Sequence, residues 1–237
     1  TAGCTMTVQS GAPLQTIQEK AEADELYFPL DFAARGSATI GGAISTNAGG
    51  NSVIRYGMTR EQVLGLEVVL ADGTVMSSLN NMLKNNAGYD LKQLFIGTEG
   101  TLGVVTRAVL RLRPALKSQN TALVAVDEFD KVPVLLRHLG ATLGGTLNAF
   151  EVLWADFYDL ILGSSDKHTA PVDQKYPFYV LIESRGGDQE ADAERFEHSL
   201  EEALENGLVA DASIASNSKQ RVAMWAIRDD IEGLVAA

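Results

Sequence analysis

Residues 36–50 read Gly-Ser-Ala-Thr-Ile-Gly-Gly-Ala-Ile-Ser-Thr-Asn-Ala-Gly-Gly, with five glycines and no charged side chain. Glycine has no Cβ and adopts positive φ without strain, so another group can come close to such a backbone and several N–H groups can turn towards one anion. We therefore predict that residues 40–50 form a tight loop whose N–H groups converge on one point, as in a site for a pyrophosphate. A glycine-rich surface loop is the alternative, because the stretch matches neither a P-loop nor the Gly-x-Gly-x-x-Gly pattern.

A second glycine-rich stretch, Gly97-Thr-Glu-Gly-Thr-Leu-Gly103, leads into Val104 and Val105 at the start of a strand-like run. Glu99 is the one carboxylate in this stretch and lies between two glycines. Either Glu99 is a surface turn residue, or its carboxylate accepts hydrogen bonds from the backbone or from a cofactor and so holds the loop in shape.

Several ordered motifs, taken together, resemble the FAD-linked oxidases of the vanillyl-alcohol oxidase and p-cresol methylhydroxylase (PCMH) superfamily. Within that superfamily the chain is most similar to the D-2-hydroxy-acid dehydrogenases, a group that includes the D-2-hydroxyglutarate dehydrogenases, the D-lactate dehydrogenases and glycolate oxidase. The similarity runs over almost the whole chain. The motifs that carry it are Ile40-Gly41-Gly42, Thr46–Gly50, Arg55-Tyr56-Gly57, Leu70–Gly73, Gly88–Leu91, Gly97–Gly103, Phe178–Glu183 and Trp225–Arg228.

This resemblance implies an α+β fold in two parts. Residues 1–116 would be the second half of a PCMH-type FAD-binding domain, and residues 117–237 would be an incomplete, ferredoxin-like α+β cap domain that holds the substrate. The resemblance also implies FAD as the cofactor. The cofactor-binding residues that it implies are Pro29, Gly36, Ser37, Ile40, Gly41, Gly42, Thr46, Asn47, Ala48, Gly49, Gly50, Glu99, Gly100, Gly103, Val104 and Val105.

The activity that the resemblance implies is oxidation of a D-2-hydroxy acid of the 2-hydroxyglutarate, lactate or glycolate class, with hydride transfer to the flavin. A separate electron acceptor would then reoxidise the flavin, and a homodimer is a further expectation. Two alternatives remain open. One is an aryl-alcohol or sugar oxidase with the same flavin fold, and the other is an inactive fragment.

The two ends of the chain bear on these alternatives. The chain opens without Met and closes within an apparent helix. Together with the resemblance, these ends predict a middle piece of a longer protein. The other half of the FAD site, the catalytic base and the ligands of a divalent metal would lie outside this piece, which alone would bind FAD weakly or not at all.

Arg228 is the candidate for substrate binding, at the predicted start of the final helix. The resemblance implies that it holds the substrate carboxylate, for which a planar guanidinium with paired N–H donors is well suited. A helix-surface arginine is the alternative. Four residues later the chain has Glu232, where similar enzymes carry a small hydroxyl residue. Its charge would repel a substrate carboxylate, so the identity of the substrate stays open.

Composition excludes several classes of partner. A formal net charge of -12 and an isoelectric point near 4.7 argue against nucleic acid or an anionic membrane. No apolar run approaches the ~20 residues of a membrane span. The single cysteine, Cys4, cannot form an internal disulfide, which predicts the cytoplasm, or the mitochondrial matrix in a eukaryote. The three histidines are scattered, so we predict no metal site within the chain.

Periodicity gives a coarse secondary structure. Apolar residues at helical spacing after Pro13 predict a packing helix that ends near Asp24. Asp72-Gly73 predicts the turn of a β-hairpin between residues 63–70 and 74–77. The alternating pattern over residues 104–113 predicts one strand.

After Pro114 the pattern changes to strand-like segments that alternate with helical ones. This order predicts a sheet with helices on one face, as in ferredoxin-like domains. Trp154 and Trp225 lie among apolar residues, and we predict that both are core residues.

Overall fold

A computed structural model describes residues 3–164 and 167–230. The chain divides into two compact units, Thr1–Ala115 and Leu116–Ala237, each with its own four-stranded sheet. The first unit contains β1 Thr5–Gln9, α1 Leu14–Ala23, β2 Leu26–Tyr27, α2 Ile40–Ser45, α3 Val53–Tyr56, α4 Thr59–Gln62, β3 Val63–Val69, β4 Val75–Ser78, β5 Val104–Arg111 and β6 Arg113–Pro114, with 3₁₀ turns at Ala33–Gly36 and Leu91–Leu94. The second contains β7 Ser118–Val126, α5 Lys131–Thr142, β8 Leu147–Trp154, α6 Ala155–Ser164, β9 Phe178–Gly186, α7 Gln189–Glu205, β10 Asp211–Ile214 and α8 Ser218–Asp229.

The sheet of the first unit is antiparallel, with the strand order β1-β5-β3-β4. The helix predicted after Pro13 is confirmed as α1, whose buried residues are Leu14, Ile17 and Ala21. They share one helical face, and that face packs into the core of the unit. The predicted hairpin is also confirmed, since β3 pairs with β4 and Gly73 adopts a φ of 85° in the turn.

The single strand predicted over residues 104–113 is wrong. Strand β5 ends at Arg111, and Arg113 pairs instead with Tyr27 in the two-stranded sheet of β2 and β6. Between them, the N–H of Leu112 donates to the carbonyl of Cys4. The chain thus leaves one sheet for another without a break in its alternating sequence pattern, which is why the pattern did not reveal the change.

The sheet of the second unit has the order β10-β7-β9-β8, and all its neighbouring strands are antiparallel. In chain order these are its fourth, first, third and second strands, which is the order of a ferredoxin-like sheet. One face packs against α5 and α7, where Val124 and Ile182 contact the cluster that contains Leu135 and Phe196.

The prediction that helices cover only one face of this sheet is wrong. On the opposite face Leu123 and Leu181 belong to a second buried cluster, with Tyr158 of α6 and Ile227 of α8. Strands covered on both faces show continuous apolar runs instead of alternation. The run Ala122–Val126 is entirely buried and carried that signal.

Candidate functional site

A cleft of about 440 Å³ in the first unit brings the two glycine-rich stretches together. It lies along α2, the turn that contains Glu99, and the start of β5. Of the predicted cofactor-binding residues, its lining contains Gly41, Gly42, Thr46, Glu99, Gly100, Gly103, Val104 and Val105; the other lining residues are Ser10, Gly11, Thr39 and Ser45.

Backbone hydrogen bonds join the second stretch to the end of α2. The N–H of Gly97 donates to the carbonyl of Ile44 at 3.0 Å, and that of Glu99 to the carbonyl of Ser45 at 2.9 Å. The last carbonyls of a helix have no partner within the helix, so this turn caps α2. Glu99 adopts a φ of 53°, which residues other than glycine rarely do. The backbone N–H of Glu99 therefore fixes the turn to the end of α2, while its exposed side chain lines the cleft.

The predicted convergence of N–H groups on an anion is wrong. Residues 40–45 form the short helix α2, and the N–H groups at its start have protein acceptors. These bonds are Ile40 N–H to the carbonyl of Ala12 (2.9 Å), Gly41 N–H to the carbonyl of Ser10 (2.8 Å) and Gly42 N–H to Oγ1 of Thr39 (3.3 Å). The buried Ile40, Ala43 and Ile44 have helical spacing, which was the sequence signal for this helix.

The glycines of the cleft are of two kinds. A Cβ at Gly41 would lie 2.7 Å from Cβ of Ser10, so packing within the protein requires glycine there. A Cβ at Gly11 or Gly100 would meet nothing within 4 Å. At Gly42 the nearest atom would be 3.4 Å away, which is an ordinary contact distance. The absence of side chains at Gly11, Gly42 and Gly100 leaves room for something other than the protein.

The other predicted cofactor-binding residues lie outside the lining of the cleft. A Cβ at Gly50 would collide with the carbonyl oxygen of Asp31, so this glycine allows two backbone segments to approach. Asn47 adopts a φ of 48°, and its Oδ1 accepts the N–H of Arg60 at 3.0 Å. The full set outside the lining is Pro29, Gly36, Ser37, Ile40, Asn47, Ala48, Gly49 and Gly50.

Arg60 fixes the chain just before the second glycine-rich stretch, a role that the sequence did not reveal. Its Nη1 donates to the carbonyl of Gln93 at 2.9 Å, and its Nη2 to the carbonyl of Ile96 at 2.6 Å. One half-buried guanidinium therefore holds both ends of the segment that leads into Gly97.

The turn at Ser10 and Gly11 is a further part of the cleft that was not predicted from the sequence. The N–H of Ser10 donates to the carbonyl of Thr106 at 2.9 Å, which places this turn beside the start of β5. A Ser-Gly pair directly after Thr5–Gln9, the residues of β1, was the available signal.

Arg228, the predicted substrate-binding residue, lies in the last turn of α8 and not at its start. The helix begins at Ser218, because Oδ1 of Asn217 accepts the N–H of Gln220 and caps it. The prediction placed the helix start too late because it gave no weight to this capping asparagine. Glu232 lies outside the described residues.

Two carboxylates of the same unit contact the guanidinium of Arg228. Its Nε donates to Oε2 of Glu151 at 2.9 Å, and its Nη2 lies 2.9 Å from the same oxygen in an ion pair. Its Nη1 donates to Oδ1 of Asp229 at 3.0 Å. Burial disfavours the charged form, but the charge and hydrogen bond of Glu151, with a contribution from Asp229, raise the pKa of Arg228 above its usual value. A charged residue among the mostly apolar residues of β8 was the only sequence signal for Glu151.

Glu183 forms a second polar cluster on the same unit. It is only 4% exposed, and it accepts hydrogen bonds from Nε1 of Trp225 (2.9 Å), Nε2 of Gln119 (2.8 Å) and Nδ2 of Asn148 (3.0 Å). Trp225 is half-buried and uses its polar end here. Trp154, in contrast, is 54% exposed, so the prediction of a core residue is wrong; it contacts Phe129 and Phe178 at the surface.

No group of three or more His, Cys, Asp or Glu side chains is arranged to hold a metal within residues 3–164 and 167–230. His168 instead pairs with Asp230, with 2.8 Å between Nε2 and Oδ2. In the same part of the chain, no helix is both long and apolar enough to cross a membrane.

Two family models match the chain. Residues 1–78 match a model described as FAD binding domain, and residues 115–237 match one described as FAD linked oxidases, C-terminal domain. The second match covers more than half of the chain.

Curated relatives agree with these matches. The chain is 44% identical over 95% of its length to "D-2-hydroxyglutarate dehydrogenase, mitochondrial" of Bos taurus, and covers 41% of that protein. It is 41% identical over 95% of its length to the protein of the same name from Arabidopsis thaliana, covering 40% of it. With D-2-hydroxyglutarate dehydrogenase of Xanthomonas citri pv. viticola it is 39% identical over 98% of its length, covering 48%. The chain thus spans less than half the length of these relatives.

Among solved structures, the chain is similar to alkyldihydroxyacetonephosphate synthase in two crystal forms. The TM-score is 0.71 for both, with 17% and 15% sequence identity, over 98% of this chain and 43% of the other. At this identity the likeness concerns the fold alone. Together the comparisons confirm the α+β fold class predicted from the sequence, that of a PCMH-type flavin domain followed by a ferredoxin-like domain.

Proposed function

We propose, because this chain belongs to the FAD-linked oxidases, that the protein that carries it oxidises a D-2-hydroxy acid to the corresponding 2-oxo acid. The observation that supports a cofactor role for the chain is the cleft shared by the two glycine-rich stretches. The names of the curated relatives make D-2-hydroxyglutarate the first substrate to test. D-Lactate and glycolate follow as members of the same class.

We assign the first unit to the FAD-binding domain and the second to the substrate domain. The lining of the cleft fits an uncharged part of FAD. Open space at Gly11 and Gly100, and the absence of a side chain at Gly42, allow a planar ring or an extended chain to approach the backbone. The hydroxyls of Ser10 and Thr39 can bond to polar edges. The lining has no Lys or Arg, whereas Glu99 adds a negative charge. A pyrophosphate there would be repelled, so we place the flavin ring or its ribityl chain in the cleft and the pyrophosphate elsewhere.

When bound, FAD supplies the redox chemistry, taking up the hydride from the hydroxylated carbon. The residues of this chain would hold and orient the two reactants. In the first unit, Arg60 and the capping turn at Glu99 keep the cleft in shape. In the second, Arg228 would hold the substrate carboxylate through the N–H groups that Glu151 and Asp229 leave unused.

The activity can be tested on the longest natural protein that contains these residues. We expect bound flavin in the purified protein, and we expect its visible absorbance to bleach under anaerobic conditions with D-2-hydroxyglutarate but not with the L enantiomer. Bleaching by an aryl alcohol or a sugar, and by none of the D-2-hydroxy acids, would overturn the proposed substrate class. A protein that takes up no added FAD would overturn the cofactor assignment.

Arg228 has a separate test in the same protein. We expect Arg228→Ala to keep flavin and fold but to lose about 10²–10⁴-fold in kcat/KM, because a bidentate charge-assisted contact is lost. Arg228→Lys should recover part of this loss, since an ammonium cannot reproduce the planar fork. Unchanged kcat/KM in Arg228→Ala would remove Arg228 from the substrate site.

The remaining expectations from the sequence stay proposals. They are a separate electron acceptor, a homodimer, and a divalent metal held by residues outside this chain. The curated names of the eukaryotic relatives include the word mitochondrial. We propose the mitochondrial matrix if the source is a eukaryote and the cytoplasm otherwise.

A further inference from the structure

Glu151 lies directly beside the predicted substrate contact, on the sheet face that packs against α8. In β8 it stands opposite Leu181 of β9, and Leu181 belongs to the buried cluster that includes Met224 and Ile227 of α8. The carboxylate of Glu151 is partly shielded from water, with 26% of its side chain exposed. It is therefore held by the sheet at a fixed position relative to the helix that carries Arg228.

The contact between Glu151 and Arg228 fixes the plane of the guanidinium. One oxygen, Oε2, accepts a hydrogen bond from Nε at 2.9 Å and lies 2.9 Å from Nη2. These two contacts on the same edge restrict rotation of the guanidinium about the Cδ–Nε bond. A guanidinium has five N–H donors; Nε and Nη1 each donate one to Glu151 and Asp229, and Nη2 contacts Glu151 with at most one more. At least one N–H on each terminal nitrogen therefore remains, and a bidentate carboxylate takes one from each.

The charges around Arg228 oppose this arrangement. One guanidinium faces two carboxylates, Glu151 and Asp229, so the local sum is one negative charge. A substrate carboxylate brought to Arg228 would be repelled by both. Glu151 thus has two effects of opposite sign, since it orients the donor pair and also weakens attraction for an anion.

We propose that Glu151 is a positioning residue that presents the two free N–H groups of Arg228 to a substrate carboxylate, and that its charge limits how tightly this carboxylate binds. This inference rests on the proposed role of Arg228 in substrate binding. It adds that the hydrogen-bonding oxygen of Glu151 orients the guanidinium of Arg228, whereas the charge of Glu151 weakens binding of the substrate carboxylate.

Helix α8 has a second anchor that does not involve Glu151. Trp225, one turn before Arg228, donates to the buried Glu183 of β9, and Met224 and Ile227 are buried beside it. Removing Glu151 therefore leaves the helix attached to the sheet. A change at Glu151 should act on the guanidinium, whereas a change at Trp225 should act on the helix.

The experiment compares Glu151→Ala, Glu151→Gln and Trp225→Phe in the longest natural protein that contains these residues. The measurements are KM and kcat for D-2-hydroxyglutarate, and the calorimetric Kd for 2-oxoglutarate, which needs no turnover. We expect Glu151→Ala to raise KM and Kd about tenfold with kcat within about threefold of wild type, because uniform binding is lost. Glu151→Gln keeps the acceptor oxygen without the charge, and we expect its KM and Kd to fall about threefold below wild type. Trp225→Phe should lower the melting temperature with Kd within about twofold of wild type.

Each alternative gives a different order of Kd values. If the charge of Glu151 alone matters, Glu151→Ala and Glu151→Gln both bind more tightly, and the positioning role is overturned. If Glu151 only supports the fold, both variants lose stability with Kd unchanged, which also overturns it. Arg228→Ala distinguishes a failure of the proposed role of Arg228 from a failure of the inference about Glu151. Unchanged Kd in that variant overturns the role of Arg228 itself, whereas weak binding in Arg228→Ala with normal binding in Glu151→Ala overturns only the inference about Glu151.

Discussion

Substituting Gly42 by alanine should change stability and flavin binding in opposite directions. Gly42 lies inside α2, and a Cβ there would be 3.4 Å from its nearest neighbour, so the protein can accept the methyl group. Replacing a helical glycine by alanine reduces the entropy of the unfolded chain and should add about 0.4–1 kcal/mol to the free energy of unfolding. For a protein of this size, that corresponds to a rise of about 1–4 °C in melting temperature.

The same methyl group would enter the cleft that we assign to FAD. A methyl group forced into a closely packed contact costs about 1–3 kcal/mol, which weakens FAD affinity about 5-fold to 150-fold. Gly140→Ala is the matched control. Gly140 is also inside a helix, α5, and a Cβ there would meet nothing within 4 Å, but it lies in the second unit. It should give the same gain in stability with no change in FAD affinity.

Gly41→Ala completes the series. Its Cβ would lie 2.7 Å from Cβ of Ser10 and 2.9 Å from the carbonyl oxygen of Ser10, so the apoprotein should lose about 1–3 kcal/mol of stability. Thermal unfolding of the apoproteins and quenching of flavin fluorescence on titration provide the two measurements. If Gly42→Ala is stabilised like Gly140→Ala and still binds FAD as tightly as wild type, the cleft is not where the cofactor approaches the backbone.

Three further predictions concern residues that hold the site or the second unit together. Trp225→Phe removes one donor from the buried carboxylate of Glu183 and should lower the free energy of unfolding by about 1–3 kcal/mol in urea titrations. Arg60→Ala releases the carbonyl of Ile96 and should lower the free energy of unfolding by about 1.5–3 kcal/mol. It should also weaken flavin binding, and Arg60→Lys should recover only part of both losses. Burial raises the pKa of Tyr158 to about 12, above the unfolded value of ~10. The folded state thus holds this proton more tightly, and stability should fall by on the order of 2 kcal/mol as the pH rises from about 10 to about 12, with a smaller fall in Tyr158→Phe.

The elements that the sequence predicted well are those whose signal is local. Helix α1 follows from apolar spacing over ten residues, and the hairpin of β3 and β4 from the Asp72-Gly73 turn. The position of Arg228 within its helix was predicted wrongly because a boundary depends on one capping contact, here from Asn217. The sequence did not predict the second layer of helices on the sheet of the second unit. Whether a strand is covered on both faces is set by long-range packing, and it appears in the sequence only as the absence of apolar-polar alternation.

The candidate sites show a similar limit. The two glycine-rich stretches could be recognised as parts of one site, but their connection through the N–H groups of Gly97 and Glu99 could not, since it joins backbone atoms that carry no sequence signature. Glu151 was missed for a related reason. A charged residue in a strand-like run is ordinarily taken as a solvent-facing position, and only the structure shows that Arg228 of a distant helix is its partner.

The glycine motif also combines two demands that a sequence cannot separate. At Gly41 and Gly50 the protein's own backbone occupies the space that a Cβ would need. At Gly11 and Gly100 that space is open, and at Gly42 it has one neighbour at an ordinary contact distance of 3.4 Å. The first set should therefore respond to alanine through stability, whether or not a cofactor is present, and the second set through cofactor binding. Since Gly100 has a φ of 82°, alanine there would add backbone strain as well, which leaves Gly42 as the position where the two effects separate most cleanly.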